Sequence, residues 1–210
     1  MAEVKHRCRL YFQFPAQASA KLEAQLTQAI EATDAACVLL CPDGSPIDEI
    51  HAGRLIDLIQ GRGLACLIEN DAGLAERLGA DGVHIAADPQ AYAEARKLLG
   101  ESASIGAGCG LSRHDAMLLA ELGADYVAFG GETPGDIDAI DQCTDLIVWW
   151  SEIFVVPCVA WNVDRAEDAA RLAALGADFI APSRDIWRDD EAPRLIAEID
   201  RAIRQARRAA

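Results

Sequence analysis

One eight-residue pattern occurs three times. Leu78-Gly79-Ala80-Asp81-Gly82-Val83-His84-Ile85 recurs as Leu122-Gly123-Ala124-Asp125-Tyr126-Val127-Ala128-Phe129 and as Leu175-Gly176-Ala177-Asp178-Phe179-Ile180-Ala181-Pro182. Each copy follows an amphipathic stretch that stops at Gly, the residue that most readily ends a helix in the left-handed conformation. Ala-Asp then turns the chain into a β-branched or aromatic apolar run, which reads as a buried strand. The unit is therefore a helix end, a short αβ loop and a parallel strand.

Extending that logic gives strand candidates at 7–14, 36–41, 64–69, 82–86, 104–109, 126–130, 156–161 and 179–183. Helical patterns lie between them, and the last, 191–208, ends in Arg201, Arg204, Arg207 and Arg208, charges that suit a helix C-terminus. No linker divides the 210 residues, so one domain spanning 1–210 is expected. Eight βα units predict an α/β fold of the (β/α)8 TIM-barrel type. An open doubly wound sheet is disfavoured, because no Gly-rich turn follows the first strand.

The 34 acidic residues outnumber the 19 basic ones, for a net charge of −15. A surface of that sign predicts no nucleic-acid partner and no anionic membrane partner. No apolar run approaches a membrane span, and the N-terminal segment carries no signal-peptide pattern, so a cytoplasmic location is expected. Seven cysteines (8, 37, 41, 66, 109, 143 and 158) are an odd number without CxxC spacing. They read as small buried hydrophobes, and the scattered histidines exclude a Cys/His metal site.

Chemistry in such a barrel sits in the loops after the strands. Those loops are rich in carboxylates, among them Asp43, Glu69, Asp71 and Asp88, while the only lysines are Lys5, Lys21 and Lys97, none of them at a strand end. The cationic candidates reduce to Arg184 and, less directly, Arg113. As hard oxygen ligands from adjacent loops these four carboxylates could hold Mg²⁺, and Asp71 and Asp88 have a second reading as N-caps of the helices that follow them. The polar stretch 132–141 reads as a mobile βα lid. Trp149-Trp150 reads as a buried helix face, with a dimer patch as the alternative that leaves a homo-oligomer open.

Asn70-Asp71 followed by Ala80-Asp81-Gly82-Val83-His84-Ile85 resembles the thiamine phosphate synthase family and its thiazole tautomerase relatives. The resemblance continues through Ile105-Gly106, Val156-Pro157-Cys158-Val159-Ala160 and Gly176-Ala177-Asp178 to Ser183. It implies a small-molecule, phosphorylated substrate: hydroxymethylpyrimidine pyrophosphate is joined to thiazole phosphate with Mg²⁺, and pyrophosphate is released. Carried over, Asn70 matches the family's Asn, Asp71 its first Mg²⁺ ligand, and Ser183 the serine of the last phosphate site. Asp88 lies one residue before the second ligand position, which Pro89 takes. Asn162 and Arg184 complete the substrate-binding candidates.

The departures fall on the anion-binding parts. Leu39-Leu40-Cys41-Pro42-Asp43 stands where the family has Q-x-R-E-K. The lysine after strand six is missing from Gly130-Gly131-Glu132-Thr133-Pro134-Gly135-Asp136, and Trp161-Asn162-Val163-Asp164 replaces a Gly-Gly phosphate nest. A synthase with an altered site and a diverged, non-catalytic binding barrel are therefore both carried forward. The nearest match to a tautomerase histidine, His114, follows Ser112, an expected N-cap, and reads as a solvated helix residue. His84 reads as an inward, hydrogen-bonded structural residue.

Overall fold

A computed structural model describes residues 7–133 and 135–206. Eight parallel strands close in sequence order into a barrel: β1 (Arg9–Pro15), β2 (Ala35–Cys41), β3 (Ala65–Glu69), β4 (Gly82–Ala86), β5 (Ser104–Gly110), β6 (Tyr126–Phe129), β7 (Cys158–Trp161) and β8 (Phe179–Ala181). The helices between and after them are α1 (Ala20–Ala32), α2 (Glu49–Gln60), α3 (Ala72–Leu78), α4 (Pro89–Leu99), α5 (Arg113–Leu122), α6 (Ile137–Ile153), α7 (Ala166–Leu175) and α8 (Ala192–Ala206). The fold is the expected (β/α)8 barrel. Arg207 and Arg208, read as part of the last helix, lie outside the described residues.

The repeat earns its place at the floor of the barrel. Gly79, Gly123 and Gly176 all adopt positive φ where α3, α5 and α7 end. The Asp two residues on clasps the preceding strand with backbone and side chain together. Asp81 bonds both N–H and C=O of Cys66, Asp125 those of Ile105, and Asp178 those of Cys158, at 2.7–3.1 Å. Each clasp joins one strand pair: β3 to β4, β5 to β6, β7 to β8.

Side chains alternate along every strand, as a pleat requires. Leu10, Phe12 and Phe14 pack outward against helices, while Tyr11 and Gln13 point into the lumen. Two glycines of β5 make room in that lumen. A Cβ on Gly106 would lie 1.9 Å from the Tyr126 ring, and one on Gly108 would lie 3.0 Å from His84 Nε2. The ladder is shortest where the barrel closes, since β8 meets β1 through only two residue pairs, Arg9↔Phe179 and Leu10↔Ile180.

Two differences from the sequence reading bear on the mouth. Stretch 132–141 is not a loop throughout, because Asp136 caps α6 by accepting from Asp138 and Ala139, and the helix starts at Ile137. β8 stops at Ala181, and a short 3₁₀ helix, Arg184–Arg188, follows it. That helix is held by Trp187, buried against Phe12 and Phe14 with its indole N–H donating to Gln13 O at 2.8 Å. On α6, Trp150 is buried and Trp149 half-buried, and the Arg113 guanidinium packs over the Trp149 ring at 4.7 Å. Arg113 is thereby spent on α6 and supplies no charge to the mouth. All seven cysteines are buried, and burial pushes the Cys109 and Cys143 thiols up to about 12, which keeps them protonated. Among the described residues no helix is long and apolar enough to cross a membrane.

Candidate active site

The mouth divides into two halves. On the β3–β4 side, Asn70 adopts a left-handed φ of 55°, which Asn tolerates better than most residues. Its backbone N–H donates to His84 O at 2.9 Å, and its Oδ1 accepts from Ala86 N at 3.0 Å. Asn70 thus pins the ends of two neighbouring strands, leaving its amide NH₂ free among the described residues. Asp71 and Asp88 cap α3 and α4: Asp71 Oδ1 accepts from Leu74 N at 2.8 Å, and Asp88 Oδ1 from Gln90 N at 2.8 Å and Ala91 N at 3.3 Å. Both side chains are exposed, and neither Oδ2 accepts a hydrogen bond among the described residues. Capping and metal binding can coexist, because each role uses a different oxygen. Among the described residues no three His, Cys, Asp or Glu side chains converge as a metal cage. Two carboxylates on adjacent loops nevertheless suit Mg²⁺, which completes its shell with water and substrate phosphate.

Arg184 supplies a cation from the opposite side. It begins the helix after β8, yet its Nη1 donates to Pro42 O at 3.1 Å and its Nη2 reaches Glu69 Oε1 at 3.4 Å. The guanidinium therefore lies over the ends of β2 and β3, where the resemblance expects lysine and arginine from β2 itself. Cys41, at the end of β2, is no substitute: burial first, and Glu69 second, hold its thiol well above the ordinary value.

The other half is a cleft of about 470 Å³ lined by Gln13, Glu132, Trp161, Asn162, Ser183 and Arg184, among others. Asn162, with φ 60°, donates from Nδ2 to Gly131 O at 2.8 Å and accepts from Gln13 Nε2 at 3.1 Å. Gln13 also donates to Pro182 O at 3.1 Å. Ser183 is buried, and both of its donors go to one carboxylate: its N–H to Asp164 Oδ1 and its hydroxyl to Asp164 Oδ2, each at 2.7 Å. Trp161 turns inward, so the top of the lumen is an aromatic floor. Its ring stacks on His84, with Tyr11 tilted beside it at 5.4 Å. His84 Nδ1 lies 3.0 Å from Tyr126 Oη, which lies 2.8 Å from Tyr11 Oη. Burial lowers the His84 pKa to about 4, so the ring is neutral.

The structure brings Asn162, Ser183 and Arg184 to one cleft and places Asn70, Asp71 and Asp88 on the adjoining strand ends. His114 is exposed on the first turn of α5, outside the cleft, and Ser112 caps that helix as expected. Gln13 and the bond between Asp164 and Ser183 were not assigned roles by sequence reasoning, and Glu69 was grouped only with the carboxylates that could hold Mg²⁺. A signal existed for Gln13, a polar residue near the end of an otherwise apolar run.

The family described as thiamine monophosphate synthase matches residues 10–186. A thiamine-phosphate synthase of Rhodospirillum centenum is 37% identical over 205 residues, covering 94% of this chain and 98% of the relative. One from Erythrobacter litoralis is 36% identical over 199 residues, covering 91% and 93%. Among solved structures, a thiamine phosphate pyrophosphorylase from Pyrococcus furiosus superposes with a TM-score of 0.77 over 97% of this chain and 99% of its own, at 16% identity. With a full-length barrel, the Asn70-Asp71 corner and relatives matched across more than nine-tenths of their length, the chain belongs to the thiamine monophosphate synthase family.

Proposed function

We propose that residues 1–210 act as one cytoplasmic domain, a transferase that joins hydroxymethylpyrimidine pyrophosphate to a thiazole and releases pyrophosphate. The observation that carries this reading is the Asn70-Asp71 corner, with Asp88 on the next loop and Arg184 reaching over from β8. Asn70, fixed by Ala86 N, offers its amide NH₂ to the pyrimidine substrate. Asp71 and Asp88 would hold Mg²⁺ through the oxygens their caps leave unused. Bound there, Mg²⁺ would neutralise the negative charge gathering on pyrophosphate.

Arg184 would meet the same leaving group from the other side, exchanging its long contact with Glu69 for a charge-assisted bond to phosphate. The Trp161 wall keeps water from the carbocation left when pyrophosphate departs, so that the thiazole nitrogen captures it instead. Asn162 and Ser183 border the acceptor. The competing reading, a binding barrel without catalysis, draws on the Trp161 ring in the mouth and on the Asp164 carboxylate at Ser183.

Purified protein incubated with Mg²⁺, the pyrimidine pyrophosphate and a thiazole acceptor should release pyrophosphate and form a thiamine product. Asp71→Ala should stop both. No pyrophosphate at high enzyme concentration, from protein that remains folded, would leave the non-catalytic reading standing.

A further inference from the structure

In barrels of this architecture the loops after the last two strands, together with a short extra helix, frequently seat a phosphate group. Here the protein fills that seat with a carboxylate of its own. Asp164, in the loop after β7, takes the N–H and the hydroxyl of Ser183, one on each oxygen. These are the donors a phosphate would need, and buried Ser183 has no others to offer.

The surroundings do not favour a second anion. Glu132 and Asp185 line the same cleft, and Arg184 is already shared between Glu69 and Pro42 O. Gln13 and Asn162 spend their amides on one another and on Pro182 and Gly131 carbonyls. What remains facing the cleft is an indole ring and neutral polar groups, with acidic residues at the edge. A phosphomonoester dianion would have to displace a carboxylate from its two hydrogen bonds and then lie beside it. An uncharged hydroxyl would not.

We propose, resting on the synthase reading above, that the acceptor is an uncharged thiazole alcohol and not its phosphate ester, with Asp164 standing where the ester's phosphate would be. The chemistry allows this. The thiazole nitrogen lone pair forms the C–N bond to the pyrimidine methylene carbon. The C–O bond to pyrophosphate breaks, and its electron pair leaves with pyrophosphate. The acceptor's hydroxyl takes no part, so the product is thiamine itself, and a separate phosphorylating reaction must follow if a phosphate ester is required.

A competition experiment tests this. The full chain is given Mg²⁺, the pyrimidine pyrophosphate and equal amounts of thiazole alcohol and thiazole phosphate, and products are separated by mass. Thiamine should exceed thiamine phosphate by about tenfold or more, the factor that about 1.4 kcal/mol of discrimination corresponds to. Thiamine phosphate as the main product would overturn this inference and leave the synthase reading intact. Absence of both products would remove the synthase reading and this inference with it.

Calorimetry supplies a readout without turnover. Asp164→Asn keeps an oxygen acceptor for Ser183 but removes the charge, so affinity for thiazole phosphate should rise by about tenfold. An unchanged affinity for the ester in the folded variant would show that Asp164 does not set the preference.

Discussion

The imidazole of His84 lies flat against the indole of Trp161, with ring centroids 4.6 Å apart and planes 9° from parallel. The stack sits between the lumen and the mouth, where burial disfavours a charge on His84. In the folded chain burial holds its pKa at about 4, whereas an unfolded chain takes up the proton near the ordinary value of about 6.5. Stability is therefore full above pH ~6.5 and drains away as pH falls towards 4, by up to roughly 3 kcal/mol. Denaturant midpoints for the wild type and His84→Gln at pH 7, 5 and 4 measure this. The variant should lose less stability on acidification, and equal losses would assign the effect to another group.

Arg184 should matter to ligand and little to fold. Its ion pair with Glu69 is long and partly exposed, so Arg184→Met should change stability by less than about 1 kcal/mol. Pyrophosphate affinity should fall by about tenfold or more, because a charge-assisted bond is lost. Thermal melts and calorimetric titration with pyrophosphate and Mg²⁺ separate the two effects.

Asp71 performs two tasks that one substitution can divide. Asn is as good an N-cap as Asp, so Asp71→Asn should keep stability within about 0.5 kcal/mol, while Asp71→Ala should cost about 1 kcal/mol. Both should abolish the Mg²⁺-dependent part of pyrophosphate binding. If Asp71→Asn retained it, Asp71 would be a cap only.

Gly106→Ala drives a methyl group into the Tyr126 ring, which is itself held by Tyr11 and His84. Overpacking of that kind should cost about 1–3 kcal/mol, read as a lowered denaturant midpoint.

The Asp clasps on the barrel floor should fail one at a time. Asp125→Ala removes the acceptor for Ile105 N–H and the partner of Arg96, at a cost of about 1–3 kcal/mol. Hydrogen exchange should quicken most at the Ile105 amide, whose carboxylate acceptor is gone, while the Cys66 and Cys158 amides keep theirs.

The floor was legible in the sequence and much of the mouth was not, for a physical reason. Gly123 and Asp125 act on residues a few positions away or on the adjoining strand, so their pattern repeats and can be read. Asp71, Asp88 and Ser112 were equally legible as caps, because a cap acts on the next turn of its own helix. Arg184 reaches residues more than a hundred positions away, and nothing in its neighbourhood says where a flexible side chain will end. Asp164 was readable as a carboxylate in the wrong place for a phosphate, but not as the partner of Ser183. The start of α6 was misplaced because Gly, Pro and acidic residues before Ile137 mask a capped helix that begins among them.

The seam between β8 and β1 has a consequence for how occupancy and folding are linked. Its ladder has two rungs, and the bonds above them are side-chain ones: Gln13 to Pro182, Trp187 to Gln13, and Arg184 across to Pro42. Gln13 and Arg184 also line the candidate cleft. A ligand gripped by Arg184 would act as a further rung, so an occupied cleft doubles as a latch that holds the cylinder shut. By mass action, whatever binds there raises the cost of opening the seam, and whatever loosens the seam weakens binding by the same free energy.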